Sequence, residues 1–565
     1  MRRITAPYYI ILFILISVCQ ELKSQDLFTY VAGERIKVCT DRTMYISGEK
    51  VMFSAIIFNV NDSVARQFSR IFYCELITPD GKKIAGRKYL LQNSSGQGCF
   101  IIPEETISGI YFLKFYTRFM RNISTGEYNY IMLKIVNPFK TEVLSGNNSS
   151  FDTTALAVNK MEISPGAQSV NILSGKQTFS PREEIRLTIQ EKTGKGLAAR
   201  LCLSVVPELT YEDPFFSVNN KLNAANNGMY SPETRGISLS GQLIGKESRE
   251  PLTNAKVNLS IIGDKDFQVV RTDSSGRFFF ALPDYKGNKD IFLCADDLPG
   301  ILPEILIDND FCSRPVFLPS PRFALNSEEM KTAYNMAINF RIASIFRDDT
   351  IAGNSSEEEN TSSFYGNPSE VLVMQKYIDL PTLEEYFAEL PVMVKLRKVE
   401  GRKQFRFIYK NQAEMSLNDP LVLIDWVAVN NMKKILAMLP PEIERIELVD
   451  CPYVKGDVTY GGIISFVSKK NDFAGIDLPT SGTFVNYKFL DECNENIPPA
   501  LFTGNIPDSR NTVYWNPSVQ TNDDGSADIS FLAPDTPGKY YILLRGMTKT
   551  GEVELTKEVI VVTGN

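Results

Sequence analysis

The stretch Ile71-Phe72-Tyr73-Cys74-Glu75-Leu76-Ile77-Thr78, running into Pro79-Asp80-Gly81, reads as a strand closed by a turn. Lys50–Phe58 upstream and Ile110–Tyr116 downstream repeat the pattern, the second entered through Ser108-Gly109. Over residues 34–138 this is the spacing of a β-sandwich. Most of the remaining chain also alternates apolar and polar residues over short runs broken by Gly, Pro or Asn-Asp, which is strand patterning. The expected fold class is therefore mainly β, with several tandem β-sandwich domains plus one small α/β domain.

Composition narrows the chemistry. The chain has 565 residues, 43% of them hydrophobic, and at roughly 100–200 residues per domain it holds three to five domains. It contains no histidine. That removes Ser-His-Asp and Cys-His nucleophiles, HExxH zinc hydrolysis and every His-ligated metal site. The formal charge of −7 comes without a basic tract, so nucleic acid is not an expected partner.

Arg2-Arg3, an apolar run from Tyr8 to Val18 and a polar break at Gln20–Ser24 have the order of a secretory signal, with Gln25 as the expected mature N-terminus. Export to the periplasm or to association with the outer membrane is expected, with the cell surface as the alternative. No later run has the ~18–20 apolar residues of a membrane helix. Cysteines 39, 74, 99, 202, 294, 312, 451 and 493 follow the leader without a CxxC pair. Cys39, Cys74 and Cys202 read as buried small residues in strands, and Cys294 with Cys312 is the candidate disulfide.

Several ordered motifs carry resemblances. Thr40-Asp41-Arg42 with Tyr45 and Gly48-Glu49, then Gly109-Ile110-Tyr111, Tyr116-Thr117-Arg118 and Met120-Arg121-Asn122, resemble the macroglobulin-type domain of bacterial envelope proteins. A second such opening is found at Thr178–Glu184, and Trp515-Asn516-Pro517 through Gly546 is similar to a C-terminal module of that family. Leu239-Ser240-Gly241, Pro251-Leu252 and Thr272–Phe278 resemble the carboxypeptidase regulatory-like, transthyretin-like β-sandwich. Pro420–Asp425, Ile443–Val449 and Gly461–Val467, with a short helix at 430–439 between the first two, resemble the plug domain of TonB-dependent receptors. Trp426 stands where that family has Gly, and the residues that follow are too few for a receptor barrel. Asn326 and Glu329 form a capping box for a helix to Phe346, with Met330, Ala333, Tyr334, Ala337, Ile338, Ile342 and Ile345 as the face docked on a sheet.

The expected domains are a leader at 1–24, a sandwich at 25–140, a second at 160–235 and a regulatory-like sandwich at 236–305. A helix and acidic loop at 306–370, a plug-like domain at 371–482 and a C-terminal sandwich at 483–565 complete the chain. The search for chemistry returns turns and surfaces. Ser47-x-x-Lys50 lacks the partner motifs of Ser-Lys acylases, Gly194-Lys195-Gly196 lacks the helix of a phosphate loop, and Asp524-Gly525 suits a hairpin better than calcium. Glu442, Glu444 and Glu447 read as the solvent side of a strand. No catalytic residue, cofactor or metal site is expected. Trp426, an amphipathic ring expected to be partly exposed, and Phe364 with Tyr365 are the candidate partner contacts, the latter pair alternatively anchoring their own loop. The expected function is non-catalytic binding, scaffolding or accessory transport, docking to an outer-membrane or periplasmic protein through the plug-like domain. The competing expectation is a surface adhesin or ligand-binding protein with the sandwiches as spacers.

Overall fold

The computed structural model describes residues 33–59, 68–145, 170–191, 199–212, 230–296, 298–346, 363–391, 393–399, 401–409, 415–491, 507–522, 524–548 and 553–564. The leader, Gly194–Gly196, the acidic loop up to 362, Cys493 and Asp523 lie outside these residues. The described chain is mainly β and forms two units, one from residues 1–235, 311–348 and 490–565 and the other from 236–310 and 349–489.

In the first unit, Glu34–Thr40, Lys50–Asn59 and Ser95–Ile101 form one sheet of the first sandwich. Met44–Ile46, Asn129–Val136, Gly109–Tyr116, Ile71–Ile77 and Lys83–Leu90 form the other, in that spatial order. Phe53 of the smaller sheet meets Phe72, Tyr89 and Phe115 of the larger edge-on, at centroid distances of 5.9, 4.9 and 5.4 Å. Each such pair adds about 0.5–1.5 kcal/mol beyond its buried area.

Ile71–Ile77 and Gly109–Tyr116 are buried at every position, not at alternate ones. The cause is a covering segment on the outer face of the larger sheet: Phe311 packs edge-on against Tyr73, and Leu318 N–H donates to Pro79 O. Beneath it Glu75 and Lys114, directly opposite across the ladder, form a buried ion pair of 2.7 Å. Lys114 Nζ also donates to Cys312 O, and the Tyr116 hydroxyl to Glu75.

The second sandwich corrects the expected domain map. Val170–Ser174, Glu184–Glu191 and Ser526–Leu532 share one sheet; Thr178–Phe179, Val553–Val562, Gly538–Thr548, Ala199–Pro207 and Tyr514–Val519 share the other. One core runs through both, from Ile185, Leu187 and Leu203 to Phe531, Ile542 and Ile560. The segments read as separate sandwiches at 160–235 and 483–565 are thus two parts of a single one. Strand patterning is local, and neither part has enough strands to cover its own apolar face.

The helix Ser327–Phe346 starts at the expected capping box, with Glu329 N–H on Asn326 Oδ1 (2.8 Å) and Asn326 N–H on Glu329 Oε2 (2.9 Å). Its docked face keeps Ala333 and Ala337 of the expected one, adds Met336 and leaves out the larger residues. Ala333, Met336 and Ala337 are buried against Met44 and Ile46, whereas Met330, Tyr334, Ile338 and Ile345 are exposed. Small alanines allow close approach. Gly48, at φ +91°, meets this helix: a Cβ there would lie 2.8 Å from the Phe340 ring.

Beside Gly48 lies a buried charged network. Arg42 grips Glu49 with both terminal nitrogens (2.8 and 3.1 Å) and donates through Nε to Thr512 Oγ1 (3.0 Å). Asp41 accepts from Tyr45 OH (2.7 Å), Met52 N–H (3.0 Å) and Thr512 Oγ1 (2.5 Å). Asn511 donates to Glu49 (2.6 Å) and to Met336 O of the helix (3.0 Å).

In the second unit, Arg277–Leu282, Ile237–Gly245 and Pro303–Ile307 form one sheet of a third sandwich, and Asp266–Arg271, Lys256–Ile261, Asn288–Ala295 and Thr483–Lys488 the other. Thr483–Lys488, expected in the C-terminal sandwich, instead pairs with Asn288–Ala295. Between these pieces in sequence lies the α/β module, whose sheet runs Glu370–Val373, Ile443–Val449, Ile463–Ser468, Leu421–Ile424, Val427–Ala428. The expected β-α-β-β order is present, with the helix at Met432–Leu436 and Leu421–Ile424 parallel to Ile463–Ser468.

Breaking a buried ion pair costs about 3–5 kcal/mol, whereas replacing both partners is often nearly neutral. Lys114→Met should therefore lower the stability of the first unit by about 3–5 kcal/mol, and Glu75→Leu added to it should recover more than half. Urea denaturation of the three proteins measures this; an equal or larger loss in the double variant contradicts it.

Candidate functional site

The α/β module has two covered faces. On one, the helices Leu383–Glu389 and Met432–Leu436 and the hairpin Val394–Val399/Arg402–Phe407 close a core around Phe387, Phe405, Ile446 and Phe466. The helices begin at side-chain caps, Thr382 accepting from Glu385 N–H and Asn431 from Lys433 and Lys434 N–H. Gly462, at φ +138°, lets this cover approach, since a Cβ would lie 2.5 Å from the Phe407 ring. On the other face Leu421, Leu423, Ala428, Val449 and Ile463 pack against Phe267 and Val269 of the third sandwich.

The predicted contact residues lie at this second joint. Asp425 and Trp426 have φ of +44° and +72°, so they are the central pair of a two-residue hairpin between Ile424 and Val427, the geometry that ordinarily selects Asp-Gly. Asp425 pins the turn by accepting from Ser468 N–H (2.7 Å), Ser468 Oγ (2.6 Å) and Phe473 N–H (2.9 Å). Trp426 is only 8% exposed, which overturns the expectation of an exposed ring. Its indole stacks on Tyr365 at 5.9 Å, Lys265 Nζ lies 5.7 Å from its centroid, and its carbonyl accepts from Ser260 Oγ of the third sandwich (2.9 Å). The apolar area buried there offsets a backbone conformation that a bulky residue adopts at a cost of about 1–3 kcal/mol.

Phe364 and Tyr365 are half-buried in the same cluster. Phe364 packs on Phe267 (5.6 Å), Tyr365 (5.0 Å) and Tyr453 (5.9 Å). The Tyr365 hydroxyl donates to Glu447 (2.6 Å), which also accepts from Arg445 Nε (2.7 Å). Burial, then the hydrogen bond to Glu447, holds the Tyr365 phenol well above the ordinary tyrosine range. Glu447 is itself buried, contrary to the reading of a solvent-side carboxylate. The structure thus brings the three predicted residues together as an internal aromatic joint, the alternative in which Phe364 and Tyr365 anchor their loop.

Cys294 and Cys312 carry thiols, not a disulfide. Cys294 packs with Phe292 and Val427 and donates to Ala428 O (3.7 Å) in the second unit. Cys312 lies 3.5 Å from the Tyr128 hydroxyl in the first. Each is held by a local contact that sequence spacing does not encode.

Elsewhere the polar groups serve the backbone. Ser47 Oγ donates to Thr106 O (2.8 Å), and Asp524 Oδ1 accepts from Ser526 N–H (3.0 Å) and Oγ (2.6 Å) in a turn. A cleft of about 200 Å³ in the first unit is lined by Glu208, Asn335, Asn339 and Arg510. Two of its charges are engaged: Glu208 accepts from Tyr541 OH (2.8 Å), and Arg510 pairs with Asp508 (2.7 Å). What sequence reading missed is a set of exposed apolar side chains on the α/β module. Ile378 is 85%, Leu417 95%, Leu439 63% and Val454 65% exposed. Ile378, Leu417 and Leu439 lie outside helices and strands and Val454 on the short strand Tyr453–Lys455, and no periodicity marks them.

No family model and no curated protein matches the chain. Among solved structures it is similar to Salmonella alpha-2-macroglobulin reacted with methylamine, at 9% identity over 94% of this chain and 40% of that one, with a TM-score of 0.24. It is also similar to Escherichia coli alpha-2-macroglobulin activated by porcine elastase, at 10% identity over 94% and 44%, with a TM-score of 0.24. A beta-glucosidase from Listeria innocua matches over 18% of this chain and 16% of that one, at 12% identity and a TM-score of 0.13. The chain spans about 40% of the length of the first of these.

Truncating a buried Trp to Ala costs about 3–5 kcal/mol. Trp426→Ala should lose that much stability, and Trp426→Gly should be less damaging by about 1 kcal/mol because only Gly adopts φ +72° without strain. Denaturation followed by circular dichroism ranks the two; Gly below Ala would contradict the turn geometry.

Proposed function

We propose that the protein is a non-catalytic, exported binding or scaffold protein that docks to an outer-membrane partner through its α/β module, the segment whose sequence resembles a receptor plug. The observation that carries this reading is the outermost strand of that module's sheet among the described residues. Glu370–Val373 is the terminal strand of its sheet, paired through Ile443–Val449. Val371 on it is 43% exposed, and Tyr377 and Ile378 just beyond are 37% and 85% exposed. An edge strand flanked by apolar side chains can take an added strand from a partner, main-chain bonds giving affinity and side-chain pockets specificity.

A second reading, a ligand-binding or adhesive surface on the third sandwich, draws on Phe279 and Leu306. They are 45% and 38% exposed and lie on one sheet face through their register partners Ser240 and Gln242.

The two readings separate in a co-purification from detergent-solubilised envelopes. With Val371→Lys/Ile378→Asp, an outer-membrane barrel recovered with the wild type should fall at least tenfold, while Phe279→Asp leaves recovery unchanged. Unchanged recovery with the edge variant, or loss with Phe279→Asp alone, overturns the edge-strand reading.

A further inference from the structure

Cys39 lies on Glu34–Thr40 of the first sandwich and Cys202 on Ala199–Pro207 of the second. Both are free thiols, 5% and 0% exposed. They share one packed cluster with Met52, Cys99 and Trp515. The strands are drawn together beside them by polar ties. Ser54, the ladder partner of Cys39, donates through Oγ to Pro517 O (2.7 Å) and accepts from Arg200 Nε (3.1 Å).

The ladder partner of Cys202 is Arg545. This guanidinium is 4% exposed; it donates to Ser204 Oγ (2.9 Å), and its Nε has no hydrogen-bond acceptor. No carboxylate among the described residues forms an ion pair with it. It faces the rings of Tyr211 (5.5 Å) and Trp515 (6.0 Å) and the sulfur of Cys202. Asp41 of the first sandwich acts on it more weakly than Cys202 does; a buried cation without a paired carboxylate is costly, and a thiolate beside it supplies much of the missing charge.

We propose that Cys39 and Cys202 are a dithiol that closes to a disulfide joining the first sandwich to the second, with Cys202 as the attacking thiolate. The hydrogen bond from Cys39, followed by the charges of Arg545 and Arg200, lowers the Cys202 thiol to about 7 against the opposing effect of burial. The same hydrogen bond, then burial, raises Cys39. The oxidant is a protein or small-molecule disulfide. Cys202 thiolate attacks one of its sulfurs, breaking that S–S bond and releasing one thiolate. Cys39 then gives up its proton, and its sulfur attacks Cys202 Sγ, releasing the second half of the oxidant. Two cysteine thiols are oxidised to one disulfide, and the oxidant's disulfide is reduced to two thiols that carry the two protons. Because both sulfurs are buried, the oxidant enters while the sandwiches are apart, and their closure shields the bond.

The test uses the full chain, reduced, unfolded, refolded in a glutathione redox buffer, alkylated and mapped by mass spectrometry. A Cys39–Cys202 cross-linked peptide is expected, absent from Cys39→Ser and Cys202→Ser. Reductant should lower the Tm of the wild type by roughly 5 °C more than that of Cys202→Ser. Refolded in the presence of oxidised glutathione, Cys39→Ser should be recovered as a mixed disulfide at Cys202. Cys39 in Cys202→Ser should stay unmodified. Recovery of both cysteines as alkylated thiols, a bond from either to Cys99, or preferential modification of Cys39 overturns the proposal.

Discussion

The first unit depends on a buried cluster of charges, Asp41, Arg42 and Glu49, all under 7% exposed. Taking such groups out of water is favourable only if nearly every donor and acceptor is used. Here partners come from two remote parts of the chain: Thr512 for Asp41 and Arg42 and its neighbour Asn511 for Glu49, with the carbonyl of Met336 in turn accepting from Asn511. Burial still raises the Asp41 carboxyl, with Arg42 and the hydrogen bonds opposing it. The first sandwich, the helix and the second sandwich must therefore assemble together, because each supplies atoms that the others would leave unsatisfied.

That dependence explains what could be read from the sequence. Strands such as Ile71–Ile77 and Gly109–Tyr116, the Asn326/Glu329 helix start and the order of the α/β module are local, and periodicity and caps reveal them. Which strands share a sheet is not local. Ser526–Leu532, read as part of a C-terminal sandwich of its own, pairs with Glu184–Glu191, more than 300 residues earlier. The helix shows the same limit: of the expected stripe, Ala333 and Ala337 are small enough to seat against Met44 and Ile46, whereas Met330 and Tyr334 face outward.

The candidate site was legible in its residues and, for Phe364 and Tyr365, in an anchoring role, but not in the role of Trp426. Trp426 stands out because a glycine is expected there, and the backbone confirms the reason with a positive φ. Its burial follows from a second module that sequence alone does not place against it: Ser260 and Lys265 cover the turn, and Tyr365 lies on the indole. Aromatic residues that suggest a partner contact thus join two modules of one unit, leaving Val371, Ile378 and Leu417 as the apolar groups facing outward.

The central claim is that the Asp41–Arg42–Glu49 cluster holds the three parts of the first unit as one cooperative body. Hydrogen–deuterium exchange of wild type and Glu49→Gln tests it most directly. Protection should fall together in residues 41–52, in the helix Ser327–Phe346 and around Asn511-Thr512. A change confined to residues 41–52 would contradict the account.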